Sequence, residues 1–283
     1  MDARKSLEFS VSRERVPLSD PDLAELSSFA VALASEAGQA TLAHFRTTLS
    51  VDNKRGDGGF DPVTEADRDA ERVIREGIAA AYPEHGIFGE EFGLTRGNGL
   101  TWVIDPIDGT RAFMTGMLHW GVLLALFDGQ QPVVGVLHQP FTGETFYGTN
   151  DAAFYRRGDE ERPLKCRSCA SLADAVLTTT SPSLFEAPGE RAAFDRLEGA
   201  VKLSRYGGDC YIYAMLAMGF VDLATDAGLN AYDIQAIMPI VRGAGGVITT
   251  IDGGDPSMGG FVVAAGDAAV HAAALRRMNG QGD

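Results

Sequence analysis

Acidic residues at the ends of apolar runs are the first feature of this chain that could do chemistry. They stand in four places, with Asp61 before Pro-Val-Thr, Glu90 and Glu91 after Ile-Phe-Gly, Asp105 and Asp108 after Trp-Val-Ile, and Asp233 after Ala-Tyr. The ends of strands and helices are where a sheet protein gathers its functional side chains. Because carboxylate oxygens are the ligands that magnesium and manganese prefer, these residues indicate divalent-metal chemistry.

The segment Asp105–Thr110, which reads Asp-Pro-Ile-Asp-Gly-Thr, is the most informative of the four. Pro106 is expected to stop the strand ladder, and Gly109 lets the backbone approach a ligand closely. Two carboxylates three residues apart, Asp105 and Asp108, can converge on neighbouring cations. A helix that begins after Gly109 would turn free N–H groups toward a phosphate bound to those cations. On this hexapeptide alone, a strand-to-turn segment with solvated aspartates stays an alternative.

Residue spacing argues against several other mechanisms by which proteins bind, transfer or hydrolyse phosphate groups. An aspartyl-phosphate mechanism needs Asp-x-Asp, whereas Asp105 and Asp108 have two residues between them. No arginine stands six positions after any of the three cysteines, as a cysteine phosphatase would require. The two closest histidines, His119 and His138, are 19 positions apart, which disfavours a zinc or binuclear histidine site. A P-loop is excluded because no lysine follows a glycine.

Composition and charge narrow the class of protein further. The 283 residues, 45% of them hydrophobic, are enough for one large domain or two joined lobes with a buried core. A net charge of −15 would repel nucleic acid and anionic membranes, and a cluster of carboxylates could hold a phosphate only with cations between them. With three cysteines, no long apolar run and a charged start, we expect a cytoplasmic protein that binds neither nucleic acid nor membrane.

Hydrophobic periodicity predicts the elements that must position these residues. One helix is expected over residues 23–45, and a second from a Thr64–Asp67 capping box to the residue before Pro83, with a polar loop at 51–61 between them. Strand patterns follow at 102–105, 121–127, 133–137 and 144–147. Turn residues between these strands indicate a sheet with antiparallel parts.

The second half of the chain alternates strands and helices. Strands are expected near 175–180, 201–204, 221–226, 247–250 and 261–265, and helices near 191–198, 210–218, 234–244 and 268–277. Such alternation predicts a sheet covered by helices. We therefore expect an N-terminal α+β lobe over residues 1–150, which carries most of the acidic candidates, and a C-terminal α/β lobe over residues 151–283, which carries Asp233.

Four ordered motifs of the chain resemble those of the inositol monophosphatase superfamily. They are Asp61–Asp67, Gly89–Glu91, Trp102–Thr110, and Ala231–Asp233 followed by Gly243–Gly246. Together they extend over most of the chain. The resemblance implies an αβαβα layered sandwich of the inositol monophosphatase and fructose-1,6-bisphosphatase type. It also implies a magnesium-dependent phosphomonoesterase that acts on a small phosphorylated metabolite, commonly as a homodimer.

The same resemblance assigns metal ligands. It implies that Glu90, Asp105 and the backbone carbonyl of Ile107 bind one Mg²⁺. Asp105, Asp108 and Asp233 would bind a second, and Asp108 and Asp233 would also face the substrate. Two or three Mg²⁺ ions per site are implied, with Mn²⁺ as a substitute. One ion would lower the pKa of an attacking water, and the other would neutralise charge on the departing ester oxygen.

Catalytic and phosphate-binding roles are implied in the same way. Asp61 and Thr110 match the acid–hydroxyl pair of the family, which together with Glu90 orients and helps to deprotonate the attacking water. The backbone of Gly109 and Thr110 would meet the phosphate. Water would attack in line, without a covalent intermediate.

Within the superfamily, three stretches are most similar to the histidinol-phosphatase branch: Asp108–Phe113, Arg205–Tyr211 and Ala227–Asp233. Asp209 and Asp226 stand where relatives contact the substrate beyond its phosphate. Two carboxylates suit an organic cation, and L-histidinol phosphate, which histidine biosynthesis converts to L-histidinol, carries an ammonium and an imidazole. Inositol 1-phosphate or another small phosphoester is the alternative substrate, and a non-catalytic, metabolite-binding relative is a lesser alternative.

Three positions keep open alternatives. Asp209 could instead cap the helix expected near Cys210, because Asp is a favoured N-cap. Arg205 matches a position near the substrate, but an exposed salt bridge would explain it equally well. Arg111 has no assignment, and Cys166 and Cys169 are expected to be incidental.

Overall fold

In the part of the chain that the structure describes, two helices with local capping motifs precede the first large sheet. The computed structural model, which describes residues 15–48, 51–53 and 62–281, places helix α1 at Asp20–Leu42 and helix α2 at Glu65–Ala81. The carboxylate of Asp67 accepts hydrogen bonds from the backbone N–H and the hydroxyl of Thr64, at 2.8 and 2.6 Å. The capping box expected at the start of the second helix is therefore confirmed.

Eight strands form the first sheet. In chain order they are β3 (Gly86–Gly89), β4 (Gly93–Thr95), β5 (Thr101–Asp108), β6 (Gly121–Phe127), β7 (Pro132–Gln139), β8 (Glu144–Thr149), β9 (Ala153–Arg157) and β10 (Glu160–Pro163). Their order across the sheet is β10-β9-β8-β7-β6-β5-β3-β4, and only β3 and β5 pair in parallel within it. The predicted antiparallel parts are confirmed. Because β9 and β10 belong to this sheet, it continues past residue 150, and the division at 150 and 151 stays a prediction.

The expectation that Pro106 would stop the strand ladder was wrong. Strand β5 runs through the proline to Asp108, and its pairing with β6 shifts register between Asp105, opposite Leu123, and Asp108, opposite Gly121. Two residues of β5 thus face one of β6, which makes a β-bulge and lets the chain accommodate the missing N–H of proline. Residues 51–53, expected to be part of a loop, form strand β1 (Val51–Asn53) and pair with β2 (Pro62–Thr64).

The C-terminal half alternates as expected. Its elements are β11 (Val176–Thr179), α4 (Glu190–Glu198), β12 (Leu203–Tyr206), α5 (Tyr211–Ala217), β13 (Leu223–Leu229), α6 (Ala231–Ile234), α7 (Ile237–Gly243), β14 (Val247–Thr250), β15 (Gly260–Ala265) and α8 (Ala268–Met278), while α3 (Thr110–Met114) lies in the first half. Strand order in the second sheet is β12-β11-β13-β15-β14. Helix α7 lies within the range expected for a helix over 234–244, and a turn at Gln235 and Ala236, which packs onto Gly135 of β7, separates it from the short helix α6.

Three hydrophobic clusters stack these elements into five layers. Helices α1 and α2 pack on one face of the first sheet, where Ile74, Trp102 and Leu124 are fully buried. The opposite face packs on α5, α6 and α7, which are covered on their far side by the second sheet. Helices α4 and α8 cover the outer face of the second sheet through residues such as Phe194 and Val270. The order helices, sheet, helices, sheet, helices confirms the predicted αβαβα sandwich.

Within the described part of the chain, none of the helices is both long enough and apolar enough to cross a membrane.

Replacing Gly135 with alanine tests the close contact between β7 and the turn that joins α6 to α7. A Cβ at this position would lie 2.0 Å from the carbonyl oxygen of Ala236, so we expect Gly135→Ala to lower the free energy of unfolding. Overpacking of this kind costs about 1–3 kcal/mol, measured by urea unfolding. Gly199→Ala is the control, since its new Cβ meets only the carbonyl oxygen of Asp195 at 3.3 Å. Equal stability of the two variants would contradict the packing argument.

Candidate metal and phosphate site

Three aspartates converge where β5 ends and α6 begins. One oxygen from each of Asp105, Asp108 and Asp233 lies within 4.8 Å of the others. Asp105 and Asp108 flank the bulge of β5, which aims both side chains into the same space. Asp233 is held by a capping box at the start of α6, in which its carboxylate accepts from the N–H of Asn230 at 2.6 Å. The structure thus brings together three of the predicted metal ligands in a group that could hold a divalent cation.

Burial and mutual repulsion disfavour the charged forms of these carboxyls. The pKa of Asp105 is raised well above its usual value, first by burial and then by the charges of Glu90, Asp108 and Asp233. Burial, followed by the charge of Asp108, likewise raises the pKa of Asp233. Burial and then the charge of Asp209 raise the pKa of Asp108 to about 7. No salt bridge to any of the three aspartates occurs among the described residues. A divalent cation fits this donor set because it would offset the repulsion that the site otherwise carries.

Glu90 reaches the cluster from the turn between β3 and β4. Its N–H donates to the carbonyl of Ile104 at 3.1 Å, one residue before Asp105 in β5. Its charge is the first of those that raise the pKa of Asp105, so the two carboxylates lie close enough to interact electrostatically. This position is compatible with the predicted role of Glu90 as a ligand, which stays a prediction.

Ile107 and Thr110 complete the predicted backbone side of the site. The hydroxyl of Thr110 donates to the carbonyl of Ile107 at 3.1 Å, and the N–H of Ile107 donates to Asp105 at 3.1 Å. A carbonyl oxygen has a second lone pair, so Ile107 could still bind a cation. Asp61, the predicted partner of Thr110, lies outside the described residues.

Gly109 follows Asp108 of the acidic cluster and also lies against the side chain of Asp209. It has a φ of +84° and precedes α3, which begins at Thr110 as expected. A Cβ here would lie 2.8 Å from the carbonyl oxygen of His119 and 3.1 Å from the side chain of Asp209. Both the left-handed backbone and the lack of space therefore require glycine at this position.

Asp209 does not cap helix α5, so that alternative was wrong. The N-cap of α5 is Cys210, and its N–H donates to the carboxylate of Asp108 at 2.6 Å. Asp209 instead has a φ of +44° and a carboxylate oxygen 3.2 Å from His119 Nδ1. Burial and the charge of Asp226 raise its pKa to about 7, while the charge of Arg111 opposes this rise. Asp209 and Arg111 therefore lie close enough to interact electrostatically.

Asp226 is buried deeper and is already well hydrogen-bonded. Its carboxylate accepts from the hydroxyl of Thr179 at 2.9 Å, the N–H of Thr180 at 2.8 Å and the hydroxyl of Tyr213 at 3.2 Å. Burial still raises its pKa to about 6. Arg205 is exposed on β12, the edge strand, and makes no ion pair among the described residues. The structure thus places Asp226 beside Asp209 and shows no contact between Arg205 and the acidic cluster.

Two residues near the site escaped the sequence reasoning. His119, which the spacing of the histidines only argued against as a zinc ligand, contacts Asp209, and only the three-dimensional path of the chain reveals this because 90 residues separate the two. Glu71 is completely buried beneath the turn that carries Glu90. A signal for it did exist, since Glu71 falls on the same face of α2 as buried Ile74 and Ile78, where a carboxylate is unexpected.

The layered sandwich and the acidic cluster at the bulge are the features expected of the class of phosphatases that the motifs predicted. The model of the inositol monophosphatase family matches residues 22–281. The chain therefore belongs to the inositol monophosphatase family of phosphoric monoester hydrolases, as predicted.

Relatives and solved structures agree with this family. The bifunctional phosphatase IMPL2 of Arabidopsis thaliana is 38% identical over 273 residues, which cover 92% of this chain and 77% of that protein. The histidinol-phosphatase of Mycobacterium tuberculosis is 35% identical over 254 residues, which cover 88% of this chain and 96% of that protein. The structure of an inositol monophosphatase from Zymomonas mobilis superposes with a TM-score of 0.81 at 37% identity, covering 93% of this chain and 100% of that one.

The stability of the metal-free protein should depend on pH through Asp108. Because its folded pKa of about 7 lies above the usual aspartate value of 3.8, stability present at acidic pH is lost as the pH rises toward 7. In EDTA at pH 8, Asp108→Asn should therefore be more stable than the unaltered protein by about 1–3 kcal/mol, with the gain vanishing near pH 4. Urea unfolding at both pH values measures this difference. Asp159→Asn, an exposed change of the same charge, should show no gain, and a gain for neither variant would contradict the repulsion.

Proposed function

We propose that the protein is a Mg²⁺-dependent phosphomonoesterase whose substrate is L-histidinol phosphate. The observation that carries the proposal is the position of Gly109 between two acidic groups. On one side, Asp108 belongs to the cluster of three carboxylates. On the other, the side chain of Asp209 lies 3.1 Å from the Cβ position of Gly109. A phosphate held at the Gly109 backbone would have a cation site on one side and a carboxylate for an organic cation on the other.

The residues of the site divide the chemical work. Glu90, Asp105 and the Ile107 carbonyl would hold one Mg²⁺, and Asp105, Asp108 and Asp233 would hold another. Bound Mg²⁺ would supply a water of lowered pKa and neutralise charge on the departing ester oxygen. Asp61, Glu90 and the hydroxyl of Thr110 would orient that water, and one of the two carboxylates would accept its proton. The backbone N–H groups of Gly109 and Thr110 would bind the phosphate, and Mn²⁺ could replace Mg²⁺.

The geometry around Gly109 favours a substrate with its positive charge close to the phosphate. In histidinol phosphate the ammonium is on the carbon next to the ester CH₂ group, so it would reach Asp209 while the phosphate stays at Gly109. Asp226 already accepts several hydrogen bonds, so we propose that it contributes negative charge from behind Asp209. Arg205 keeps its proposed role near the substrate. Relatives that are histidinol-phosphatases at 35–38% identity support this choice.

A second candidate substrate is inositol 1-phosphate or another small phosphoester. It is supported by the 37% identity to the inositol monophosphatase of Zymomonas mobilis. A neutral polyol needs both donors and acceptors, whereas the side chains beside Gly109 are mainly acidic. Kinetics on histidinol phosphate, inositol 1-phosphate and fructose 1,6-bisphosphate, measured side by side, would decide between them. No Mg²⁺-dependent release of phosphate from any of the esters would instead favour a non-catalytic, metabolite-binding relative.

The proposal includes a cytoplasmic homodimer. The three cysteines are free thiols, which suits a reducing compartment. Dimerisation rests on the family resemblance, and analytical ultracentrifugation would measure the number of subunits.

Removal of the Asp105 carboxylate, which both proposed metal positions share, should abolish turnover. In Asp105→Asn, both proposed metal positions lose a charged ligand, so we expect kcat to fall at least about a thousandfold even at saturating Mg²⁺. Phosphate release from histidinol phosphate measures this loss. The exposed variant Asp159→Asn serves as the control for the change in charge, and near-normal turnover in Asp105→Asn would overturn the assignment.

Neutralising Asp209 should change substrate preference. Asn tolerates the left-handed backbone of this residue, so Asp209→Asn removes the charge with little strain. A lost charge-assisted hydrogen bond of about 1.5–3 kcal/mol should lower kcat/KM for histidinol phosphate about 10- to 150-fold. The decrease for glycerol phosphate, which has no amine, should be much smaller. Equal decreases for both esters would remove the argument for an amine.

A further inference from the structure

Glu71 is a fully buried carboxylate that the proposed reaction does not use. It lies on α2, outside the acidic cluster, and its side chain is completely shielded from solvent. Burying an ionised carboxylate is costly unless hydrogen bonds and an opposite charge compensate for it. Here Arg75, one turn further along α2, donates from Nε to Glu71 at 2.7 Å. The remaining donors come from the turn that carries Glu90.

The backbone of that turn closes around the Glu71 carboxylate. The N–H of Glu91 donates to one carboxylate oxygen at 2.7 Å, and the N–H of Phe92 donates to the other at 3.2 Å. A Cβ on Gly89 would lie only 1.9 Å from Glu71 Oε1, so the carboxylate rests directly against the backbone of residue 89. The contacts of Glu71 thus extend over residues 89, 91 and 92, on both sides of Glu90.

Glu90 is therefore fixed from two directions. Its own N–H donates to Ile104 of β5, next to Asp105, while the residues around it contact Glu71 of α2. Arg75 extends the attachment, because its Nη2 donates to the carbonyl of Gly93 at 2.5 Å. The turn cannot move away from β5 without breaking the hydrogen bonds to Glu71.

We propose that Glu71 is a positioning residue that holds the Glu90 carboxylate opposite Asp105 and so sets the affinity of the site for divalent cations. Glu71 does not touch the ion. It acts on one ligand by fixing the backbone on either side of that ligand, and groups that orient metal ligands in this way commonly change metal affinity 10- to 100-fold. The inference rests on the metal site of the proposed function.

The test is direct binding of Mn²⁺, followed by the electron paramagnetic resonance signal of the free ion. In Glu71→Gln the shape is kept, but the amide NH₂ would face backbone N–H donors that the carboxylate now satisfies. We expect the dissociation constant for Mn²⁺ to rise about tenfold, and the Mg²⁺ concentration for half-maximal turnover to rise in parallel. Turnover at saturating Mg²⁺ should fall much less, because the displaced ligand can be drawn back by the ion.

Glu76→Gln is the matched control, because Glu76 is on the same helix but exposed and the change in charge is the same. It should bind Mn²⁺ as the unaltered protein does. A folded Glu71→Gln variant with unchanged Mn²⁺ affinity would overturn the proposal. If the unaltered protein itself binds no Mn²⁺, the proposed metal site fails instead, so the two failures are distinguishable.

A milder variant keeps the test decisive if Glu71→Gln does not fold. Arg75→Gln leaves the Glu71 carboxylate in place but removes its cation and the hydrogen bond to Gly93. Arg75 is partly exposed, so this variant should fold. We expect a smaller weakening of Mn²⁺ binding, about threefold, in the same direction. Unchanged affinity in Arg75→Gln would then overturn the proposal.

Discussion

Several carboxylates are buried close together in this protein, and the surrounding structure must hold them there although their charges repel one another. Burial raises the pKa values of Asp105, Asp108 and Asp233, and the charges of neighbouring carboxylates raise them further. Each is held in place by one backbone N–H, from Ile107, Cys210 and Asn230 respectively. A single such bond fixes the direction of a carboxylate and leaves lone pairs for a further partner. The fold thus concentrates carboxylates whose charged forms a bound cation would stabilise.

The acidic cluster lies where the two halves of the chain meet. Asp108 belongs to the first sheet, but its carboxylate accepts from Cys210, 102 residues further along the chain. Asp233 is delivered by α6, which packs between the two sheets together with α5 and α7. No segment of the chain could assemble this cluster by itself, so the acidic cluster depends on the packing of the whole central layer.

Sequence patterns predicted local structure well and long-range contacts poorly. The Thr64–Asp67 capping box and the alternating strands are set by neighbours in sequence, and the structure shows both. The bulge at Pro106 was missed because proline locally indicates a stop, whereas pairing with β6 resumes beyond it. The contact between Gly135 and the turn that joins α6 to α7 spans about 100 positions, and no local pattern reports it.

The candidate site shows the same difference between local features, which the sequence predicts, and long-range contacts, which it does not. Spacing alone predicts that Asp105 and Asp108 converge on cations, whereas the resemblance to the family implies Asp233 as the third ligand. Asp209 was harder to interpret, since an Asp before a helix is usually its cap. In the structure Cys210 is the N-cap, and the Asp209 carboxylate contacts His119 and lies against Gly109. A residue that could have been a helix cap is thus a carboxylate beside the proposed phosphate position, where a substrate cation would complement it.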